Sequence, residues 1–373
     1  MRLLRRHGGL ARVELGSHSG LSPATVTSIT RDLLADGLIK EVETDGLDLN
    51  GGSRGRPRVR LEVNGGAGVL LVLIIRGGQG RWSLANFAGQ ILDTAPASIV
   101  TGVDAASSLI DGLRQDIDIL LEKHRVQDRL LGIGICLHGL LDSRDGRVIW
   151  SPDLDLHNLP VADPLRRAYG CPVTLVSEAD AVALAIRSLP DFQNLQEFAC
   201  LHLGDGGIGM GLVLAGELYS NSRGFAGEFG HLKYTPDASL SCRCGAVGCI
   251  ETLVSGWALR RDLGVAPDAS TVLPVEENAK HWFDRAGRVV GTGIAHLVNL
   301  LAPERVILCG PLADYYHWFS GPMEEEIRKQ VLRPEKAITA IQRLDVDENF
   351  STLGTIAYTL AGGHAGRAAS VAR

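Results

Sequence analysis

From Gly68 onward, the hydrophobic positions of the chain form short apolar runs that alternate with longer segments of helical periodicity. Apolar runs of this length predict strands of a buried sheet, and apolar positions three or four residues apart predict amphipathic helices. The predicted strands are residues 69–75, 82–87, 131–137, 173–176, 198–203, 208–214 and 306–309. The predicted helices are residues 105–124, 164–169, 180–188, 257–263, 275–301 and 322–331. This alternation is typical of an α/β fold.

Two of the strand pairs are joined by glycine-rich turns, at 76–78 and at 204–207. Because glycine adopts the positive φ that two-residue turns require, each pair is predicted to be a β-hairpin. Two hairpins that each begin a series of strands and helices indicate two similar lobes. We place these lobes at 64–180 and 181–373, with the last helix returning to the first lobe.

Residues 1–63 show a different pattern, which predicts three short helices followed by two strands. The third helix has the clearest signals, because Ser22 is a good N-cap, Pro23 suits the first helical position and Gly37 can end the helix. Its buried face is predicted to consist of Val26, Ile29, Leu33 and Leu34. Helix, tight turn and helix is the geometry of a helix-turn-helix, whose last helix enters the major groove of DNA.

Candidate DNA contacts lie on the polar face of this third helix and in the loop after it. The helix carries groups of a size suited to phosphates and base edges, namely Ser22, Thr25, Thr27, Ser28 and Arg31. The strands at 38–42 and 58–63 predict a wing, and its loop holds Arg54 and Arg56, which could reach into a narrow minor groove. A packing or dimerisation module with solvated arginines is the alternative.

Charge and composition agree with a soluble regulator, but they do not identify its function. Residues 1–62 contain ten Lys or Arg against eight Asp or Glu, so a segment of +2 precedes a body of −8. No apolar run reaches the about 18 residues of a membrane span, and the arginine-rich start lacks a signal-peptide core, so we expect a cytoplasmic protein without membrane contact. Four cysteines in apolar segments are expected to be reduced core residues, namely Cys136, Cys171, Cys200 and Cys309.

The segment 227–251 concentrates residue types that bind metals. Cys242, Cys244 and Cys249 have the spacing C-x-C-x4-C, and His231 lies shortly before them. Three thiolates and one imidazole make a tetrahedral zinc sphere, and four protein ligands leave no open position, so the predicted zinc ion is structural. Cysteine is also common as a small buried apolar residue. Apolar burial does not explain three of seven cysteines within eight positions beside a histidine.

The sequence resembles the ROK family of repressors, open reading frames and sugar kinases. The resemblance is carried by GxxGExGH at 224–231, by CxCGxxGCxE at 242–251, and by the segments 132–135, 139–142, 151–154 and 204–211. It implies a two-lobed actin-like or sugar-kinase (RNase H-like) body behind a winged helix-turn-helix domain. It also implies that one set of side chains contacts a sugar and another holds zinc: Ser177, Glu178, Glu228, His231 and Glu251 for the sugar, and His231, Cys242, Cys244 and Cys249 for zinc.

Two segments depart from the kinase branch of that family. The first hairpin has Ile74, Arg76 and Gly78 where kinases carry aspartate, glycine and threonine, so the anchor for magnesium and ATP phosphates is missing. Glu178 stands where kinases have their catalytic aspartate, and its extra methylene moves the carboxylate by about 1 Å, which can cost roughly 100-fold in rate. Asp180 is expected to face away from the pocket. Arg76 could bind the phosphate group of a sugar phosphate. The simpler expectation is that its side chain faces solvent.

The leading hypothesis is a sugar-responsive transcriptional regulator, a repressor, without kinase activity. It would bind operator DNA as a homodimer and a carbohydrate effector in a zinc-ordered pocket, whereas the alternative is a ROK-type ATP-dependent sugar kinase with a regulatory head. A constitutive DNA-binding protein with a vestigial body is a third hypothesis. The sequence leaves open which sugar binds, whether it releases or promotes DNA binding, which operator is read and whether dimers pair into tetramers.

Overall fold

In a computed structural model, the N-terminal part of the chain forms three helices and a small sheet. The structure describes residues 1–43, 59–99, 105–220, 225–235, 237, 239–264, 277–332 and 339–363. The first elements, which we call the head, are α1 (Arg2–His7), β1 (Leu10–Ala11), α2 (Arg12–Ser19), α3 (Pro23–Ala35), β2 (Ile39–Glu43) and β3 (Val59–Val63). β3 lies between β1 and β2 and is antiparallel to both. The predicted helices and the paired strands of the wing are therefore present.

One residue on α3 lies on a different face from the one predicted. Ile29 is 44% exposed, whereas Thr30 is only 4% exposed. With 3.6 residues per turn, Thr30 shares the buried face of Val26, and Arg12 Nε donates a hydrogen bond of 3.2 Å to its hydroxyl. The prediction that Ile29 is buried is wrong, because the satisfied threonine takes the inward position.

The next part of the chain builds a five-stranded sheet with a small sheet beside it. Its elements are β4 (Val69–Arg76), β5 (Gln79–Asn86), β6 (Ile91–Ala97), α4 (Ala105–His124), β7 (Leu130–Leu137), β8 (Leu140–Asp142), β9 (Arg147–Ser151), β10 (Leu156–Pro160), α5 (Ala162–Tyr169) and β11 (Val173–Ser177). The main sheet has the order β11-β7-β4-β5-β6, and β8, β9 and β10 form the small sheet. β4, β7 and β11 are parallel, so their carboxyl ends meet at one edge.

The remaining part of the chain builds a second five-stranded sheet. Its elements are α6 (Glu178–Arg187), β12 (Phe198–Leu203), β13 (Ile208–Leu214), β14 (Glu217–Leu218), α7 (Gly256–Leu263), α8 (Glu277–Leu301), β15 (Arg305–Cys309), α9 (Tyr316–Gln330), β16 (Ala340–Arg343) and α10 (Asn349–Leu360). The order is β14-β13-β12-β15-β16, which repeats the arrangement of the first sheet. The α/β class and the two-lobed body are confirmed.

The central strands are buried on both faces, which explains their continuous apolar sequences. On β4, Leu71 and Leu73 face the core of the first lobe, while Leu70 and Val72 face a second core shared with α6, α10 and the other sheet. α10 packs against α6 and also against β4, β7 and β11 of the first sheet. The domain boundaries after residues 63 and 180 stay a prediction.

Sequence reasoning gave no range for α10 and missed several strands. The strands that were not predicted are β1, β6, β8, β9, β10, β14 and β16, most of which are short and mix polar with apolar residues. The helix predicted from Pro322 begins earlier, at Tyr316, and includes the proline. In the described part of the chain, no helix is long and apolar enough to cross a membrane.

Candidate functional site

A cleft of about 1220 Å³ lies between the two lobes. The first lobe contributes Arg76 at the end of β4, His138 after β7 and Ser177 at the end of β11. Carboxyl ends of parallel strands meet at the same edge, which is where open α/β sheets bind ligands. The second lobe contributes the β12–β13 turn and the segment that contains the four predicted metal ligands.

The four predicted metal ligands lie together beside this cleft. One ligand atom from each of His231, Cys242, Cys244 and Cys249 lies within 4.8 Å of all the others. Cys242 Sγ is 3.6 Å from His231 Nδ1, and the sulfurs of Cys244 and Cys249 are 3.8 Å apart. In a tetrahedral zinc site with Zn–S bonds of about 2.3 Å, two sulfurs are about 3.8 Å apart. The donor set and its spacing therefore fit zinc.

Local backbone geometry makes this convergence of ligands possible. Gly248, between Cys244 and Cys249, has a φ of +66°, and a Cβ there would lie 1.6 Å from the carbonyl oxygen of Thr235. Only glycine fits at this position, because its backbone passes so close to the backbone of Thr235. Lys233 Nζ lies 2.8 Å from the sulfur of Cys249, which places a positive charge beside the cluster.

The predicted sugar contacts all line the cleft: Ser177, Glu178, Glu228, His231 and Glu251. His231 lies between two of these carboxylates, with Nε2 3.8 Å from Glu228 and Nδ1 3.8 Å from Glu251. Glu251 is buried, whereas the side chain of Glu228 remains 45% exposed to the cleft and can be reached by a ligand. Burial, together with the charge of Glu251, raises the pKa of Glu228 to about 6.

Glu178 is already bound by protein groups. Its Oε1 accepts hydrogen bonds from Nε of Arg76 and, at 3.1 Å, from the hydroxyl of Ser351. Burial alone would raise the pKa of Glu178, but His202 and Arg76 hold it below its ordinary value. Arg76 therefore forms a partly buried ion pair, and the expectation that it faces solvent is wrong.

Asp180 also lines the cleft, so the expectation that it faces away is wrong. Ser177 is the N-cap of α6, its hydroxyl accepts from the Asp180 amide at 3.2 Å, and the side chain at this third helical position lies on the same side as the cap. Burial raises the pKa of Asp180 to about 7, and the carboxylate of Glu228 adds to the effect. The predicted helix begins at Asp180, whereas α6 begins at Glu178, so Asp180 is the third residue of the helix and lies beside its cap.

Three further cleft residues were missed by sequence reasoning. His138 Nδ1 lies 3.2 Å from Asp153, and Nη1 of Arg243 lies 3.4 Å from the other oxygen of the same carboxylate. Asp153 belongs to the first lobe and Arg243 to the cysteine segment of the second, so the contact crosses the cleft. The signal for Asp153 was present, because 151–154 is one of the segments that carry the family resemblance.

The predicted DNA contacts on α3 are all at least partly accessible. Ser22, Thr25, Thr27 and Arg31 are exposed and Ser28 is half-buried. The side chain of Arg31 is 74% exposed and donates a hydrogen bond to Ser28 at 3.3 Å. Arg54 and Arg56 lie outside the described residues.

Comparison with known proteins gives matches along most of the chain. The ROK family profile matches residues 84–361, and a winged helix-turn-helix DNA-binding profile matches residues 1–40. The xylose repressor of Caldicellulosiruptor bescii is 26% identical over 376 residues, covering 94% of this chain and 92% of the relative. The transcriptional dual regulator NagC of Escherichia coli is 23% identical, covering 95% of this chain and 90% of the relative.

Solved structures give the same result for the fold. A ROK family transcriptional regulator, a homologue of the E. coli Mlc protein, has a TM-score of 0.79 and 27% identity, covering 97% of this chain and 95% of that one. A ROK family glucokinase from Streptomyces griseus, solved with glucose and AMPPNP, has a TM-score of 0.61 and 22% identity, covering 78% of this chain and 98% of the glucokinase. At that identity the glucokinase shows the fold alone.

Proposed function

Because this chain belongs to the ROK family, we propose that it is a sugar-responsive transcriptional repressor. The head binds double-stranded operator DNA, and the cleft between the lobes binds a carbohydrate effector. The proposal includes a homodimer as the DNA-binding form, since helix-turn-helix proteins pair their heads on two half-sites. Relatives that cover nearly the whole chain include proteins named as xylose repressor and as transcriptional regulators, which supports this assignment.

The observation that carries the proposal is the ion pair between Arg76 and Glu178. Glu178 stands where kinase members of the family have their base, and a base must be free to take a proton from a sugar hydroxyl. A carboxylate held by a guanidinium and by Ser351 is poorly suited to that task. Glu228, His231 and Glu251 can still bind sugar hydroxyls. The cleft therefore binds a sugar in this proposal but does not catalyse phosphoryl transfer.

The charge of the far wall of the cleft also argues against a nucleotide. The lining includes Asp205 in the β12–β13 turn and, beyond it, Asp314, Asp345, Asp347 and Glu348. The turn itself is closed by a 2.9 Å hydrogen bond from Gly204 N to Gly207 O, as in a tight hairpin. Arg260 pairs with Asp205, and Arg343 pairs with Asp314 and Asp345, so the repulsion of a triphosphate's negative charges comes mainly from Asp347 and Glu348.

Zinc, held by His231, Cys242, Cys244 and Cys249, would stiffen the loop that carries Glu251. A histidine whose one nitrogen binds a metal keeps its other nitrogen protonated and fixed in direction. His231 Nε2 then donates toward the cleft beside Glu228. The chain's own carboxylates at 228 and 251 accept from vicinal sugar hydroxyls, and the zinc site sets their spacing.

Coupling between cleft and head runs through α1. Arg5 lies over the ring of Phe87, 4.6 Å from its centre, on the first lobe. Arg6 donates to Gln193 at 2.8 Å, and Arg2 to Glu217 at 2.6 Å, both in the second lobe. Since α1 touches both lobes, a sugar that binds one inter-lobe angle better than another also selects one position of the head.

The test is operator affinity with and without a panel of sugars. We expect at least one sugar to change the operator affinity by about fivefold or more, the usual lower range of allosteric coupling. An ATP-consumption assay on the same sugars tests the kinase alternative. If every bound sugar left operator affinity unchanged, or if ATP were consumed at a rate typical of kinases, the proposal would fail.

A further inference from the structure

The cleft contains many more acidic than basic groups. Its lining includes ten aspartates and glutamates but three arginines, and no lysine among the described residues. Of its three histidines, His231 belongs to the metal cluster and His138 contacts Asp153. Burial lowers the pKa of the third, His202, which favours its neutral form. Free positive charge in the cleft could come only from the arginines.

Each of these arginines already has a carboxylate partner. Arg76 pairs with Glu178, Arg243 lies 3.4 Å from Asp153, and Arg260 lies 3.0 Å from Asp205. A phosphate or carboxylate on a ligand would have to take one of them from its partner. For Arg76 this would leave Glu178 unpaired, although its side chain is only 16% exposed, and an unpaired buried carboxylate is strongly unfavourable.

Five of the other carboxylates lining the cleft have no arginine or lysine partner within the described ranges, whereas Asp314 and Asp345 pair with Arg343. Asp180, Glu228 and Glu251 belong to this group. Glu228 and Glu251 are predicted sugar contacts, and the charge of Glu228 acts on Asp180. Carboxylates accept hydrogen bonds from hydroxyls and cannot donate to an anion. Their charge also repels any anionic substituent.

From this arrangement we infer that the effector site selects an uncharged sugar and rejects phosphorylated sugars and sugar acids. The inference rests on the proposed function, because it specifies the ligand class of the same site. The sequence alone left open whether Arg76 binds a sugar phosphate. An arginine paired with Glu178 does not provide a phosphate site.

Calorimetry on the full-length protein with matched ligand pairs tests the inference. The pairs are glucose with glucose 6-phosphate, N-acetylglucosamine with its 6-phosphate, and glucose with glucuronate. For any neutral sugar that binds, we expect its anionic partner to bind at least about 100-fold more weakly. An anionic sugar that binds as tightly as its neutral partner overturns the inference but leaves the proposed sugar response standing. Absence of binding by every sugar, xylose included, overturns both.

A variant that frees Arg76 provides a second test. Glu178→Gln keeps the size and hydrogen-bonding shape of the side chain but removes its charge, so Arg76 becomes available to an anion. We expect the affinity ratio of anionic to neutral sugar to rise about tenfold or more. Glu324→Gln, the same change on the exposed face of α9, should leave the ratio unchanged.

Reading the ratio rather than a single affinity separates charge selection from general damage to the pocket. At pH 8, where Asp180 with its raised pKa of about 7 is mostly ionised, Asp180→Asn removes a second negative charge from the cleft and should raise the ratio in the same direction. If neither Glu178→Gln nor Asp180→Asn moves the ratio relative to Glu324→Gln, charge does not decide selection and the inference is wrong.

Discussion

Arg76 on the first lobe and Glu178 at the start of α6 form an ion pair at the floor of the cleft. Both residues stand at positions where kinase members of the family have different ones, and the two replacements compensate each other. The arginine stands where a phosphate loop has a small glycine, and Glu178 neutralises the positive charge that could otherwise attract a phosphate. The pair supports the proposal that this sugar-kinase-like fold binds a sugar without phosphorylating it.

Breaking this pair on one side should destabilise the protein. Arg76→Met leaves the carboxylate of Glu178 without its cation, and because Arg76 is 38% exposed we expect a loss of only about 1–2 kcal/mol in unfolding free energy. The double variant Arg76→Met/Glu178→Gln should recover part of this loss. Urea denaturation measures both. Equal stability of Arg76→Met and the native protein would show that the pair contributes nothing.

Stability should also depend on pH through Asp180. Because the pKa of Asp180 is raised to about 7 in the folded protein, the folded state binds more protons than the unfolded one, so this group lowers stability as pH rises from about 4 to 7. Asp180→Asn should remove that penalty, and the full shift corresponds to up to about 4 kcal/mol.

Denaturation of native protein and Asp180→Asn at pH 5 and pH 8 measures this effect. The gain from the substitution should be larger at pH 8. Glu228 is the charged neighbour that adds to the shift, so Glu228→Gln should lower the apparent pKa of Asp180. A gain that does not vary with pH would contradict the ionisation of a buried Asp180.

The metal cluster predicts one zinc ion per chain. Cys244→Ser should lose the metal, lower the unfolding free energy by about 2 kcal/mol or more, and abolish the sugar response, because Glu251 then loses its fixed position. Elemental analysis and denaturation measure these effects. Cys171→Ser, at a buried cysteine outside the cluster, is the matched control and should keep full zinc content. Native protein purified without zinc, or zinc retained by Cys244→Ser, would contradict the site.

The head should bind DNA through the exposed face of α3. Arg31→Ala should weaken operator binding by about 1–3 kcal/mol and reduce its salt dependence if the contact is to phosphate. Arg56→Ala, in the segment between β2 and β3, should also weaken DNA binding and leave sugar affinity intact. Arg328→Ala on α9 serves as the control for loss of one exposed arginine. DNA affinity unaffected by both Arg31→Ala and Arg56→Ala would refute this interface.

The contacts of α1 should transmit the sugar signal. Arg5→Ala removes the contact to the first lobe and Arg6→Ala a contact to the second, so each variant should at least halve the sugar-induced change in the free energy of operator binding. Sugar affinity itself should stay within about twofold, since neither residue lines the cleft. Arg81→Ala, an exposed arginine on β5, is the control. An unchanged response in both variants would exclude α1 as the link.

The sequence alone determined the elements with strong local signals. Buried strands such as β4 and β7 are continuous apolar runs, and α3 has a cap, a proline and a glycine at the expected positions, because these features depend on neighbouring residues. The four metal ligands were also found, since three of them lie within eight positions. The short strands β8 to β10 lacked such signals.

Only the tertiary structure decided which side chains meet across the cleft. Arg76 and Glu178 are 102 positions apart, and Asp153 and Arg243 are 90 apart, so no local pattern relates them. The predicted direction of Asp180 was wrong because it depends on where α6 begins. The predicted burial of Ile29 was wrong because Thr30, with Arg12 as its hydrogen-bond partner, takes the inward position. Contacts between distant segments depend on packing between lobes, and the periodicity of a single segment carries no information about that packing.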